Sequence, residues 1–362
     1  MSGMAAKPAL SPAWLPVGLG VLLAGCGGAV PIEGCAPAAG IDVICDFAKP
    51  EDLAALPGTP WVLISELGNG ADPGHIAALR TRDERVERLQ AAAPGPAADS
   101  TFPRCGPEPE SLKPRGFHLR AGQDGDHQLL IVNASDAVRV ERYRVTGRGG
   151  EVPELRWEGC VTVPDDITPN DVAALPDGGF VVSHMFNPPR TWWHDVLFLL
   201  GLHTGHVARW QPQDGWRKVP GSDASFPNGI ETDPDTGRIF VAATYGQDLT
   251  AVDADGDNRQ RVDLPVQTDN LTWSPDGRLI AVGHTGVPIL GTRACRDMGN
   301  TSCAFPFAVA AIDPETLGVE TLYAHADSLI PGPSVGLIHN SWLYLGTFFG
   351  DRVSRVALPA KR

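Results

Sequence analysis

Positive charge is scarce in this sequence. Only 29 Lys and Arg stand against 43 Asp and Glu, a formal net charge of -14. No basic face is on offer to a phosphate backbone, which excludes nucleic acid as a partner. Cysteine pairs of the CxxC kind are absent, and no Cys/His spacing suggests a zinc site. Long apolar runs are also absent, except for "AWLPVGLGVLLAGC" near the N-terminus, which is of signal-peptide length and too short for a stable membrane span.

That one run ends in Leu23-Ala24-Gly25-Cys26, which resembles the bacterial lipobox. In such a motif small residues fit the signal peptidase, and the Cys takes a lipid thioether and becomes the mature N-terminus. A buried helix that happens to end in Cys is the competing reading, but Gly27 and Gly28 and a Pro/Ala-rich stretch follow instead of more helix. The expected organisation is a lipoprotein signal peptide over 1–25, a tether over 26–39 and one folded domain over 40–360. Such a protein is anchored to a membrane without spanning it, in a bacterial cell envelope and facing the periplasm. Six Cys remain after Cys26, and export makes disulfides plausible, with fifteen connectivities open. Cys295 and Cys303 flank the polar segment "RDMGNTS" and are the preferred bridge; two free buried thiols are the alternative.

What the sequence does have is rhythm. Six short apolar runs recur behind turn residues: "WVLIS", "LLIVN", "FVVSH", "IFVAAT", "LIAVGH" and "WLYLGT". Most follow a tight turn such as "LPDGG", "DPDTGR" or "SPDGR", where Pro presets φ and Gly tolerates a positive one. Each is preceded by another strand-like run, and several are followed by a third and a fourth. At intervals of roughly 40 to 70 residues, six four-stranded antiparallel units predict an all-β fold, a six-bladed β-propeller with a short inserted helix. The segment "GIDVICDF" is placed to supply the outer strand that closes the last blade.

Two segments break the rhythm. "AAAPGPAADSTFPRCGPEPESLKP" reads as a surface excursion, and "NPPRTWWHDVLFLLGLHTG" as a short apolar helix over one face of the ring, through Trp192, Trp193, Val196, Leu197, Leu199 and Leu200. Two readings of that helix stay open: a lid or membrane-facing element, or a helix packed on its own blade.

In a propeller the innermost strands start at one face of the central channel, so the residues just before them converge. Here those stretches read "PEDL", "PRGF", "PNDV", "PNGI", "TDNL" and "GPSV". Four of the six bring carboxylate or amide oxygens, the hard donors that Ca²⁺ prefers. The bland alternative is that Asx side chains merely cap turns.

These stretches, with "LKPRGF", "PNDVAALPDGGFVVSH", "TDNLTWSPDGRLIAVGH" and "PSVGLIHNSWLYLGTFF", resemble the paraoxonase/arylesterase family within the gluconolactonase-like six-bladed propellers, from about Gly40 to Leu358. The resemblance implies a catalytic calcium held by Glu51, Asn170, Asn228, Asp269 and Asn270. It also implies a second, structural calcium held by Asp52, Asp171 and the carbonyl of Phe117. Family members with a paired-His mechanism carry His where this chain has Arg115 and Ala134, so the usual proton-abstracting dyad is missing. Arg115 is suited to bind a substrate carboxylate or phosphate, to stabilise an oxyanion, or simply to pair with a nearby acid. Asp269 or Glu51 is then a candidate base from the metal shell, with His284 the nearest candidate imidazole.

The implied function is a calcium-dependent hydrolase of small-molecule lactones or esters. The competing class is a non-enzymatic binding propeller with structural calcium, which the missing dyad favours. Three motifs carry little. Gly332-Pro333-Ser334-Val335-Gly336 matches G-x-S-x-G but continues as strand, not as a strand–turn–helix. "DADGDN" lacks the EF-hand's closing Glu and reads as a hairpin turn, and His203 and His206 read as solvated loop residues.

Overall fold

The computed structural model describes residues 32, 34–37, 40–70, 73–92, 102–122, 125–135, 137–286, 304–325 and 330–358. Cys26, the signal segment, and the Cys295 and Cys303 pair lie outside the described residues.

Six sheets form six blades, five of them four-stranded and antiparallel; the second adds a short fifth strand, Ala91–Ala92, parallel to Glu154–Thr162. Their innermost strands are Pro50–Ala55, Pro114–Arg120, Pro169–Ala174, Pro227–Thr232, Gln267–Trp273 and Pro333–His339. The second strands carry the apolar runs seen in the sequence, and four of them are buried along their whole length, the other two except near their starts, because neighbouring blades cover both faces. Alternation still shows in which neighbour each side chain meets. Ile280 and Val282 pack into one inter-blade cluster with Phe307 and Leu343, while Leu279 and Ala281 pack into the next with Phe240 and Leu249. Six such clusters, one between each pair of adjacent blades, close the ring. The ring is sealed by Ile41–Ile44, which pairs antiparallel with Val353–Ala357 as the outer strand of the last blade.

Two disulfides are present among the described residues: Cys35–Cys45 and Cys105–Cys160. The second ties the Pro-rich excursion to the outer strand Glu154–Thr162 of the second blade. The helix, α1, spans Trp192–Leu199. Phe198 docks it through a small cluster of Met185 and Phe186, with Phe226 and Tyr245 packed alongside. The segment thus packs against its own blade through Met185 and Phe186 and against the next through Phe226 and Tyr245, and Thr191, Trp192 and Asp195 line the mouth of the channel.

Candidate functional site

Defects in the sheets build the channel mouth. Five of the six inner strands open with Pro, which has no N–H to give the ladder, and every one of the six shifts register within its first few residues. Inside those bulges lie Glu51, Arg115 with Gly116, Asn170 with Asp171, Asn228 with Gly229, Asp269 with Asn270, and Ser334. A bulge turns a side chain away from the sheet's ordinary alternation, here toward the axis. The sequence reading placed these residues just before the strands. They lie instead within the strands, because the backbone around each Pro is already paired. At Gly229 an added Cβ would lie 2.5 Å from the Asn270 Cα, so glycine is what lets two blades meet behind the Asn228 and Asp269 side chains.

Their polar atoms fall into a pattern. Asn228 turns its amide nitrogen to the Thr244 hydroxyl at 3.0 Å and to Asp269 Oδ1 at 2.6 Å. Asn270 donates to Glu51 Oε1 at 3.2 Å and is within 3.3 Å of the Glu51 carbonyl, which also accepts from Ser334 at 2.6 Å. Asn170 turns its nitrogen toward the Met185 sulfur. The nitrogens are thus occupied by protein acceptors, while Glu51 Oε2 and the Oδ1 atoms of Asn170, Asn228 and Asn270 are buried with no hydrogen-bond partner. Turn capping does not explain oxygens that cap nothing.

The electrostatics point the same way. Burial pushes the Glu51 carboxyl up to about 7, with Asn270 and Arg115 opposing. Asp269 is raised well above the usual carboxylate range, first by burial and then by the Glu51 charge, against its bond from Asn228. Two like charges in one dry site resist ionising together unless a cation joins them. Among the described residues no cluster of three or more His, Cys, Asp or Glu is placed to hold a metal, because three of the five oxygen donors here are amides. All-oxygen donors with unpaired lone pairs suit a hard cation such as Ca²⁺.

The second predicted set behaves differently. Asp52 accepts the backbone N–H of Phe117 at 2.9 Å and of Leu53 at 2.8 Å. Asp171 likewise accepts from Ile230 at 2.9 Å and Val172 at 2.7 Å. None of these four oxygens is orphaned, and Phe117 presents its N–H, not its carbonyl, to Asp52. Both carboxyls are raised well above the ordinary range, chiefly by burial, and each by a neighbouring acid, Glu51 for Asp52 and Asp52 for Asp171.

Above the first set opens a cavity of about 630 Å³ lined by Glu51, Arg115, Asn170, Asn228, Asp269 and His284. Arg115 gives one guanidinium nitrogen to the Pro169 carbonyl at 2.8 Å; burial lowers its pKa and the Glu51 charge raises it. His284 has both ring nitrogens buried and unpartnered against Phe305 and Phe348, and burial pushes its pKa down to about 4, so the ring is neutral near pH 7.

Much of the remaining wall went unread in the sequence, including Leu67, Arg190, Phe226, Tyr245, Phe348 and Phe349. A signal existed. In each hairpin the end of the second strand pairs with the start of the first, as Pro227 with Ala243, so the residues just past the second strand had to reach the same mouth. His206 also differs from its reading as a solvated loop residue; it opens a strand and packs half-buried on the His184 ring, 4.7 Å between centroids. The G-x-S-x-G match is structural: Gly332 takes a φ of +55° before Pro333, and the Ser334 hydroxyl is given to the Glu51 carbonyl.

Residues 114–286 match the SMP-30/Gluconolactonase/LRE-like region. Over that stretch, just under half of its length, the chain is similar to gluconolactonase-like proteins. It is also 24% identical over 249 residues to human serum paraoxonase/arylesterase 2, across 66% of this chain and 67% of that protein. The same protein from dog matches over the same length at 24% identity. Among solved structures, a gluconolactonase from Xanthomonas campestris superimposes with a TM-score of 0.51 at 15% identity, over 92% of this chain and 98% of the other. A luciferin-regenerating enzyme gives 0.51 at 13% identity over 88% and 95%. At these identities the structural likenesses establish the six-bladed propeller fold alone, and the site rests on its own geometry.

Proposed function

We propose that this propeller is a calcium-dependent hydrolase of lactones or esters, tethered outside the cytoplasm. The relation to gluconolactonases and paraoxonases supports hydrolysis of the lactonase or esterase type. The observation that carries the calcium is the set of four unpartnered buried oxygens, from Glu51, Asn170, Asn228 and Asn270, beside two carboxyls that repel each other.

Glu51, Asn170, Asn228, Asp269 and Asn270 would hold the calcium, which when bound polarises a carbonyl and stabilises negative charge on its oxygen. The protein's own groups do the rest. Arg115, fixed by the Pro169 carbonyl, keeps donors free at the cavity wall to orient a substrate oxygen or carry part of the developing charge. Phe226, Tyr245, Phe348 and Phe349 offer an apolar wall for the body of an ester or lactone. With neither dyad histidine present, the water's proton goes to Asp269, to Glu51 or to the neutral imidazole of His284. Asp52, Asp171 and the Phe117 carbonyl fit a second, structural calcium less well, because both carboxylates already accept backbone N–H groups and Phe117 turns its N–H to Asp52; one calcium ion per chain by elemental analysis is the expected stoichiometry, and a second ion would assign these three residues to it.

A panel of lactones and aryl esters, assayed with and without chelator, tests the activity. Hydrolysis that chelator abolishes and calcium restores is expected. A folded, calcium-loaded protein with no turnover on the panel leaves the second reading, a binding propeller with structural calcium, which the absent dyad favours. Tethering is tested by Cys26→Ser, expected to release the protein from the membrane fraction; a variant that stays bound after a salt wash overturns the lipid anchor.

A further inference from the structure

Charge on the cavity wall does not cancel in pairs. Three carboxyl side chains and two guanidinium groups line it: Glu51, Asp195 and Asp269 against Arg115 and Arg190. Arg190 is matched, with Asp195 Oδ1 2.5 Å from its Nη2 and the centre of the Phe198 ring 5.5 Å from its guanidinium carbon. Glu51 and Asp269 are the two like charges that call for a divalent cation, and such a cation would match them. Arg115 is left over.

Its surroundings hold it in place without using it up. Arg115 Nη1 donates to the Pro169 carbonyl at 2.8 Å, an uncharged acceptor one residue before Asn170. That bond fixes the guanidinium against the third blade. Nε and Nη2 form the edge that can meet a carboxylate through two parallel N–H groups. Neither makes a hydrogen bond to the described residues, and neither is among the buried unpartnered atoms, so both stay reachable from the cavity. No salt bridge joins Arg115 to a described carboxylate, and the Glu51 charge acts on it only through space. A guanidinium set this deep in a wall is costly until an anion completes it.

We infer that Arg115 determines the specificity of this site, and that the lactone or ester it takes carries a carboxylate of its own, away from the scissile carbonyl and bound by the Nε–Nη2 edge. A monoanion fits better than a phosphate dianion, because one positive charge is uncompensated and Glu51 and Asp269 stand on the same wall. The net charge of -14 repels an anion at long range. Physiological salt screens that repulsion beyond about 8 Å, so the guanidinium at the wall decides. The inference rests on the hydrolase reading for turnover and not for binding, and its test uses a probe for each.

The calcium-loaded wild type is assayed on monophenyl glutarate and phenyl hexanoate, esters of similar length that differ in whether the far end of the acyl chain is charged. It is also titrated calorimetrically with the corresponding anilides, whose amide bond is far slower to hydrolyse. The charged member of each pair should be preferred roughly ten- to a hundred-fold, the worth of a charge-assisted hydrogen-bonded pair. Arg115→Gln should erase the preference, through KM for the esters and through Kd for the anilides. Arg115→Lys keeps the charge and loses the two-nitrogen edge, and should retain part of it. Arg190→Gln should retain it in full. Each preference is a ratio within one sample, so a partly folded variant still reports it. A wild type that binds charged and neutral anilides alike overturns the inference without any variant. So does an Arg115→Gln variant that keeps the preference, which assigns the carboxylate to the metal or to Arg190. A variant that lowers kcat equally on both esters also overturns it, making Arg115 an oxyanion donor with no part in choosing the substrate. If neither ester turns over while the charged anilide is preferred through Arg115, the anion site stands and the hydrolase reading falls.

Discussion

Glu51 and Asp52 are neighbours in sequence, as are Asn170 and Asp171, yet they serve opposite ends of one physical problem. Asp52 and Asp171 spend both carboxylate oxygens on backbone N–H groups, each reaching across to the inner strand of the next blade. Glu51 and Asn170, one residue earlier, hold an oxygen that nothing in the protein satisfies. The register shift explains the split, since one extra residue in the strand lets two adjacent side chains leave the sheet in different directions. A buried polar atom with partners is stabilising structure, and one without them is destabilising unless something binds.

The sharpest way to break this comparison is to treat the two kinds of carboxylate alike. Asp171→Ala strands the N–H groups of Val172 and Ile230 in the channel, and the expected loss is about 2–6 kcal/mol at about 1–3 per orphaned group. Denaturant unfolding measures it, and hydrolysis per folded molecule should fall much less than stability. Asp269→Asn should do the reverse. It removes one charge from the mouth while keeping the shape, so kcat/KM should drop roughly a hundred-fold or more with the fold intact. Equal losses of stability in both variants, with activity tracking the folded fraction, would show that the two clusters are one structural feature.

How much of this was legible in the sequence follows from what each feature depends on. The six blades were, because strands covered on both faces must be apolar throughout and their hairpins need Pro, Asp and Gly at fixed places; "LPDGGFVVSH" carries all of that locally. The convergence of Glu51, Asn170, Asn228 and Asp269 was legible through the repeat itself. The bulges were not, since a register shift is visible only against the partner strand. Neither were the bridges Cys35–Cys45 and Cys105–Cys160, the second spanning 55 residues and fixed by where the excursion lands on its blade. The aromatic wall was hidden because it comes from the far ends of second strands, as with Tyr245 and Phe348, and from a helix inserted in a third blade. The Cys295–Cys303 pairing lies outside the described residues.

Calcium removal sharpens the same contrast. A cation bound only by the folded ring raises its melting temperature by mass action, so excess chelator should lower the melting temperature of the wild type. In Asp269→Asn the response should be smaller, because the mouth site is already weakened, and any residual shift reports on Asp52 and Asp171. An unchanged wild-type melting temperature, in protein shown metal-free by elemental analysis, removes the calcium from the reading. A milder probe is Thr244→Val. The Thr244 hydroxyl accepts from Asn228 and donates to the Thr268 carbonyl at 2.7 Å, which fixes the amide so that its oxygen faces the channel. Its loss should raise the calcium needed for half-maximal activity roughly ten-fold, and excess calcium should recover the rate.

The smallest expected effect lies one strand out, where His206 packs on His184. Burial, then the His184 and Lys218 charges, push His206 down to about 4, against the pull of Asp223 and Asp166. The unfolded chain, with an ordinary imidazole near 6.5, binds the proton more readily, so the contribution of His206 to stability is complete above about pH 6.5 and lost as pH falls through about 4. Because the ring is only half-buried, solvent screening keeps the effect small. His206→Gln should therefore unfold with a shallower acid limb between those values and match the wild type above neutrality. An acid limb that Gln leaves unchanged would assign that pH sensitivity to other groups and leave the mouth as the part of the fold whose ionisation matters.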